Sequence, residues 1–155
     1  MKQTTAVRID SQYIVGIPGI DDQHNDLFMQ FTALLDYLEK ENRSFDYIYA
    51  SLQKITEALE THFSTEESLM EMICFTGIEN HKNQHNRLHK QLSDISDTLS
   101  REKDVQINQS LYSLRDAKLE HIASGDAEYA VHIENLMALK QKFNITAVKA
   151  QSLTK

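Results

Sequence analysis

Apolar residues recur along this chain in alternating steps of three and four, the spacing that places side chains along one face of an α-helix. The repeat runs without a slip through two long segments and more loosely through two others. The four predicted helices are helix A over 22–41, helix B over 45–73, helix C over 78–101 and helix D over 105–123. Long helices joined by short turns predict an all-α fold, an up-down-up-down antiparallel four-helix bundle.

Helix-breaking residues mark where this bundle begins and ends. The chain has only 4 glycines and 1 proline, and most of them lie in the sequence GIPG before helix A. We expect Asp21 and Asp22 to cap helix A. We expect Gly125 to end helix D, so that Asp126 caps a fifth helix followed by a polar tail beyond Asn144.

The length of 155 residues fits a single domain. Its predicted parts are an N-terminal arm over 1–21, a bundle carrying a site over 22–126, and an extra C-terminal helix and tail over 127–155. Four apolar residues in the arm are expected to lie on the bundle, namely Ile14, Val15, Ile17 and Ile20.

Composition excludes several classes of protein. The hydrophobic fraction of 41% and the charged fraction of 25% are ordinary for a soluble chain, and no apolar run approaches the roughly 18 residues needed to cross a bilayer. With no signal-peptide pattern at the N-terminus, we expect a cytoplasmic protein with no membrane partner. A net charge of −7 argues against binding nucleic acid. The single cysteine, Cys74, excludes an internal disulfide and is expected to be a small buried or half-buried hydrophobe.

Polar residues interrupt the apolar seam in one region of each predicted helix. They are His24, His62, Glu66, His81, His85 and His121. Counted from the turns that join the helices, all six lie at about the same height in the bundle. So many polar groups facing one core are costly unless something compensates for their burial.

A divalent transition metal is the best candidate for that compensation. Five imidazoles and Glu66 converge, and Asp126 can add a second carboxylate. One ion cannot use all seven groups, but two ions can if the carboxylates bridge them. Iron is favoured over zinc by the mixture of imidazole and carboxylate and by a ligand number above four per ion.

Several residues near these positions are expected to have other roles. His89 falls off the seam and is expected to be solvated or to support a ligand, although a pair of His85 and His89 stays an alternative. His132 is expected at the surface, and Glu67 should face away from the site because it is rotated from Glu66. Met70 and Met72 are expected to pack rather than to bind metal.

The arrangement resembles the hemerythrins, and most closely the bacterial hemerythrins. The matching stretches are GIPGIDDQH ending at His24, HFSTEESLM, HKNQH and HIASGDAEY, within residues 10–130. The resemblance implies two iron ions in a non-heme, oxo- or hydroxo-bridged centre. It assigns His81, His85 and His121 to one iron, His24 and His62 to the other, and Glu66 and Asp126 to both as bridges. The second iron would be one ligand short, which is where the family binds dioxygen.

One departure from the family pattern lies next to this open position. The family usually carries an aromatic residue and a leucine where this chain has Ala117 and Lys118. Phe63 and Lys118 are predicted to line the ligand pocket. Of two interpretations of Lys118, we favour the one in which its stem extends past Ala117 to solvent. In the other interpretation its ammonium lies in the pocket and alters ligand affinity or autoxidation.

The predicted function is reversible binding of dioxygen by a non-enzymatic carrier, store or delivery protein. The alternative is a module that senses oxygen, nitric oxide or redox state through a separate partner. A homodimer or a signalling contact through the C-terminal helix is a further hypothesis. A ferritin-like di-iron oxidase is disfavoured because the sequence contains no Glu-x-x-His motif.

Overall fold

The computed structural model describes residues 9–101 and 106–152, with side chains described up to residue 143. The long helices are α1 (Pro18–Leu38), α2 (Phe45–Met72), α3 (Ile78–Arg101), α4 (Asn108–His121) and α5 (Ala127–Ser152). A 3₁₀ turn (Ser11–Tyr13) precedes α1, and a π-helical turn (Ile122–Asp126) joins α4 to α5. Consecutive bundle helices pack together, and α1 also packs against α4. The predicted all-α four-helix bundle is therefore confirmed.

The apolar core fills one half of this bundle and leaves the other half to the polar seam residues. It is built by the second half of α1, the first half of α2, the second half of α3 and the first half of α4. Its most deeply buried members are Leu27, Phe31, Leu34, Leu52, Ile55, Leu59, Leu99, Leu111 and Leu114. Each such side chain stabilises the fold by roughly 1.5–3 kcal/mol when it is buried.

The first helix begins earlier than predicted, at Pro18, so the predicted capping role of Asp21 and Asp22 is wrong. Proline suits the first turn of a helix because it lacks an N–H that would have no partner there. Asp21 instead accepts hydrogen bonds from the backbone N–H of Val15 (2.8 Å) and Gly16 (3.0 Å). Asp21 therefore fastens the arm to the bundle from inside α1.

Only part of the predicted arm packs as expected. Val15 and Ile17 are half-buried, but Ile14 is 53% exposed. Ile20 is buried as a residue of α1 rather than of the arm. The first eight residues of the predicted arm, the predicted start of helix D at residue 105 and the last three residues of the tail lie outside the described residues.

The predicted break at Gly125 is also wrong, because α4 continues through the π-helical turn into α5. Residues five apart on an α-helix point roughly 140° away from each other. The wider π turn brings His121 and Asp126 to the same side, with 2.9 Å between Nε2 and Oδ1. The α5 helix then runs to Ser152, in place of the predicted polar tail beyond Asn144.

Cys74 is exposed, which corrects its predicted burial, and its φ of 53° is left-handed. It follows the end of α2, where Phe75 N–H donates to the Met70 carbonyl at 2.9 Å and Cys74 N–H to the Glu71 carbonyl at 3.1 Å. These bonds form a Schellman cap, in which Cys74 takes the position usually held by glycine. Met70 is fully buried as expected, whereas Met72 is 79% exposed and its predicted packing is wrong.

Across the described residues, no helix combines the length and the apolar character that crossing a bilayer would require.

Candidate metal centre

All seven residues predicted as ligands meet in the polar half of the bundle, and none exposes more than 5% of its surface. They form two groups that share members, and within each group the donor atoms lie within 4.8 Å of one another. The larger group contains Glu66, His81, His85, His121 and Asp126. The smaller group contains His24, His62, Glu66 and Asp126. The two carboxylates belong to both groups, so they stand between the three-histidine side and the two-histidine side.

Glu66 presents one oxygen to three imidazoles. Its Oε2 lies 3.0 Å from Nε2 of His85, 3.3 Å from Nε2 of His62 and 3.6 Å from Nε2 of His81. His62 precedes Glu66 by one turn of α2, while the other two histidines come from α3. The 3.6-residue period of each helix therefore aims the side chains at one point.

Asp126 divides its two oxygens between the two groups. Oδ1 lies 2.9 Å from Nε2 of His121 and 3.4 Å from Nε2 of His81. Oδ2 lies 3.1 Å from Nε2 of His24 and 3.1 Å from Nζ of Lys118. One carboxylate thus faces both sides of the centre through different atoms.

Several donor atoms in this cluster are buried without a hydrogen-bond partner. They are Nε2 of His24, His62, His81 and His121, together with Oδ1 of Asp126. A buried polar atom without a partner costs about 1–3 kcal/mol, so five of them at one point need a common partner. Imidazole nitrogens and carboxylate oxygens converging from four helices are a donor set that suits iron, and the residues present fit a pair of such ions.

Three of the imidazoles are held from behind by side chains that accept a hydrogen bond from Nδ1–H. The distances are 3.0 Å from His62 to Gln23 Oε1, 2.9 Å from His85 to Glu67 Oε1, and 2.7 Å from His121 to Gln84 Oε1. A proton on Nδ1 leaves the lone pair of Nε2 free and turned into the centre.

These supporting residues were not found from the sequence. Glu67 was expected to face away, but its rotation from Glu66 turns it toward α3, where His85 lies. Gln23 and Gln84 went unnoticed because amides are ordinary surface residues. The signal that could have revealed them is their position, since each directly precedes a predicted ligand, His24 or His85.

Tyr129 is a fourth supporting residue, which the sequence suggested only as an apolar position of the fifth helix. It is fully buried, and its hydroxyl donates to Oε1 of Glu66 at 2.8 Å. Burial first, and then the nearby Glu66 carboxylate, raise the pKa of this hydroxyl above its ordinary value, so it stays a donor.

Lys118 points into the centre, so the favoured interpretation that its stem reaches solvent is wrong. It is fully buried, and besides its contact with Asp126 its Nζ lies 5.7 Å from the centre of the Phe63 ring. Phe63 is buried too and stacks on the ring of His85 at 4.0 Å. The two buried carboxylates explain this direction, because an ammonium beside them compensates for their lost hydration.

The protonation states of the cluster suit metal binding. Burial raises the pKa of Glu66, but the nearby Lys118 ammonium outweighs burial and is the main cause that lowers the pKa below the usual range. Burial likewise raises the pKa of Asp126, but Lys118 is again the main cause that lowers it, and the pKa lies well below its usual range. Burial, followed by Lys118, lowers the pKa of His62 to about 2. Ionised carboxylates and neutral imidazoles are the forms that ligate metals.

The two other histidines lie outside the cluster. His89 has 53% of its side chain exposed and lies 3.5 Å from Glu60, so the alternative pair of His85 and His89 is wrong. His132 is half-buried rather than at the surface. Its Nε2 lies 3.2 Å from the carbonyl oxygen of Ile73, and its ring lies 5.6 Å from that of Phe75.

Comparison with known proteins assigns this arrangement to a family. The model of the hemerythrin HHE cation binding domain matches residues 15–133, a range that includes all seven clustered residues. The chain belongs to the hemerythrin family. No curated protein matches the chain.

Two solved structures share the fold of this hemerythrin domain. One, described as a leucine-to-phenylalanine mutant, has a TM-score of 0.72 and 21% identity over 81% of this chain and 95% of its own. The other, described as wild-type hemerythrin, has a TM-score of 0.68 and 22% identity over 81% of this chain and 92% of its own. At this identity they support the bundle architecture alone.

Proposed function

We propose that this hemerythrin domain holds two non-heme iron ions and binds dioxygen reversibly as a non-enzymatic carrier or store. The observation that carries the proposal is the pair of donor groups that share Glu66 and Asp126. His81, His85 and His121 would hold one ion, and His24 and His62 the other. When bound, the iron pair, with an oxo or hydroxo bridge, supplies the electrons and the ligand position that dioxygen needs.

The residues of the chain contribute burial, orientation and charge. The clustered side chains are closed off from bulk water, and hydrogen bonds behind three histidines fix their rings. The smaller group offers four donors against five in the larger group, which supports ligand binding on the His24 and His62 side.

The donor set also supports binding rather than oxidative turnover. Five imidazoles, which bind metals as neutral ligands, and two carboxylates leave half of the positive charge of two ferrous ions uncompensated, which disfavours higher oxidation states. We propose on this basis that the protein is not an enzyme, and that it works in the cytoplasm with dioxygen, or alternatively nitric oxide, as its small-molecule partner.

Iron counting and oxygen uptake test this function. Metal-free protein is loaded with ferrous iron without air, desalted and analysed for iron, and oxygen uptake and release are followed with an electrode. We expect two irons per chain and one dioxygen per iron pair, released again under argon. Asp126→Asn should lose iron, while His89→Gln, an exposed control, should keep it. One iron per chain, or oxygen consumed without release, would contradict the proposal.

A sensing role is the second candidate, and the junction at Asp126 favours it. This ligand lies on the π-helical turn that runs directly into α5, whose residues 134–143 are all exposed. A change at the metal centre that moves Asp126 would therefore tilt an exposed helix. Hydrogen exchange of α5 should then differ between the ferrous protein with and without dioxygen. Identical exchange in α5 would refute the sensing role, and the carrier role would then be the remaining candidate.

A further inference from the structure

Lys118 is placed asymmetrically with respect to the two donor groups. Its Nζ lies 3.1 Å from Oδ2 of Asp126, and this same oxygen lies 3.1 Å from Nε2 of His24. The other oxygen of Asp126 faces His121 and His81. The ammonium therefore lies on the four-donor side of the centre, next to the oxygen that this side uses.

The charge of Lys118 compensates for the two carboxylates when no metal is bound. Among residues 9–101 and 106–143, it is the one lysine or arginine side chain that is fully buried. The face of the uncharged Phe63 ring lies 5.7 Å from its Nζ, and Lys118 is also close enough to the Glu66 carboxylate to lower the pKa of that group. A divalent ion on the His24 side would therefore meet a cation already bound to its carboxylate oxygen, and two cations at that separation repel each other strongly in a buried site.

We propose that Lys118 competes with metal for Asp126 and makes the two metal positions unequal. The five-donor position fills first, while the second ion binds only when the ammonium leaves Oδ2 of Asp126. This inference rests on the proposed function in one respect, namely that the centre binds two ions. It makes Lys118 a built-in competitor that separates a singly loaded state from a doubly loaded one.

A difference in donor number alone would also make the positions unequal, so the test must isolate Lys118. Metal-free full-length protein is titrated with Zn²⁺, which has no redox chemistry, in a calorimeter, and native mass spectrometry counts the bound ions. In the wild type we expect the second ion to bind at least about tenfold more weakly than the first.

Three variants provide the comparison. Lys118→Met removes the charge but keeps a flexible chain, and should narrow the gap between the two dissociation constants by at least about tenfold. Lys118→Arg keeps the charge and should keep the gap. Lys90→Met removes a lysine whose side chain is 74% exposed on α3, and should leave both constants unchanged.

A measurement on the wild type covers the case in which Lys118→Met does not fold. The ¹⁵Nζ signal of Lys118, assigned through Lys118→Arg, should shift less during the first equivalent of Zn²⁺ than during the second, when the ammonium leaves Asp126. A larger shift during the first equivalent, equal affinities in the wild type, or an unchanged gap in Lys118→Met would overturn the competition. Failure to bind any metal would instead refute the proposed function.

Discussion

Replacing Gly125 by alanine should destabilise the protein, against the usual effect of this substitution in a helix. Alanine in place of glycine inside a helix normally stabilises it by about 0.5–1 kcal/mol. At Gly125, however, an added Cβ would lie 2.6 Å from Oε1 of Gln84 and 2.8 Å from Cε1 and Nδ1 of His121. Both distances are too short for non-bonded atoms, so one of these side chains must move.

The magnitude follows from what the movement breaks. Crowding a packed site costs about 1–3 kcal/mol, and losing the 2.7 Å hydrogen bond between His121 and Gln84 adds about 1 kcal/mol. After subtracting the ordinary helix gain, we expect a net loss of about 1–3 kcal/mol. The affinity for metal should fall about 10- to 100-fold, because His121 loses the group that orients it.

Urea unfolding of the metal-free protein and Zn²⁺ calorimetry measure these two effects. Gly19→Ala is the matched control, since Gly19 lies in the first turn of α1 and nothing lies within 4 Å of an added Cβ there. It should be neutral or slightly stabilising. If Gly125→Ala is as stable as the wild type and binds metal equally well, then the close approach of the π-helical turn to α3 has no role in the centre.

Three further predictions concern Glu66, the imidazoles and α5. Tyr129→Phe removes the hydrogen bond to Glu66 and should lower the free energy of unfolding in urea by about 1–3 kcal/mol. An unchanged urea midpoint would show that this hydrogen bond does not stabilise the fold. The pKa of His62 is about 2 when folded against 6.5 when unfolded, so the unfolded chain binds the extra proton. Metal-free stability should therefore be complete above pH 6.5 and fall by about 1.4 kcal/mol per pH unit below it, and a flat profile would contradict this burial. If the exposed apolar residues of α5 join two copies of the chain, replacing both Leu139 and Phe143 by Glu should convert a dimer to a monomer in light scattering; a monomeric wild type would refute that.

The bundle and the cluster could be predicted because both follow from helical period alone. The position of each polar seam residue along its helix axis can be counted from the predicted helix end. An error of one or two residues in that end changes the counted position by only about 1.5–3 Å. His24, His62 and His85 met at one level for this reason. The same reasoning assigned Glu66 to the inside.

Features that depend on contacts between helices could not be predicted. Gly125 looked like a helix stop because its sequence neighbours are small and polar, yet its role is to let Gln84 and His121 approach. Cys74 takes a left-handed capping position without the glycine that usually signals it. The direction of Lys118 depended on the balance between solvation of its ammonium and attraction by two buried carboxylates, which the seam position leaves undetermined.

The decisive test of reversible dioxygen binding is the absorption spectrum of the ferrous protein, recorded without air, then with dioxygen and then after its removal. We expect a visible charge-transfer band that appears with dioxygen and fades when dioxygen is removed, through repeated cycles. A single irreversible conversion to the ferric spectrum, with no band that comes and goes, would contradict reversible dioxygen binding by this centre.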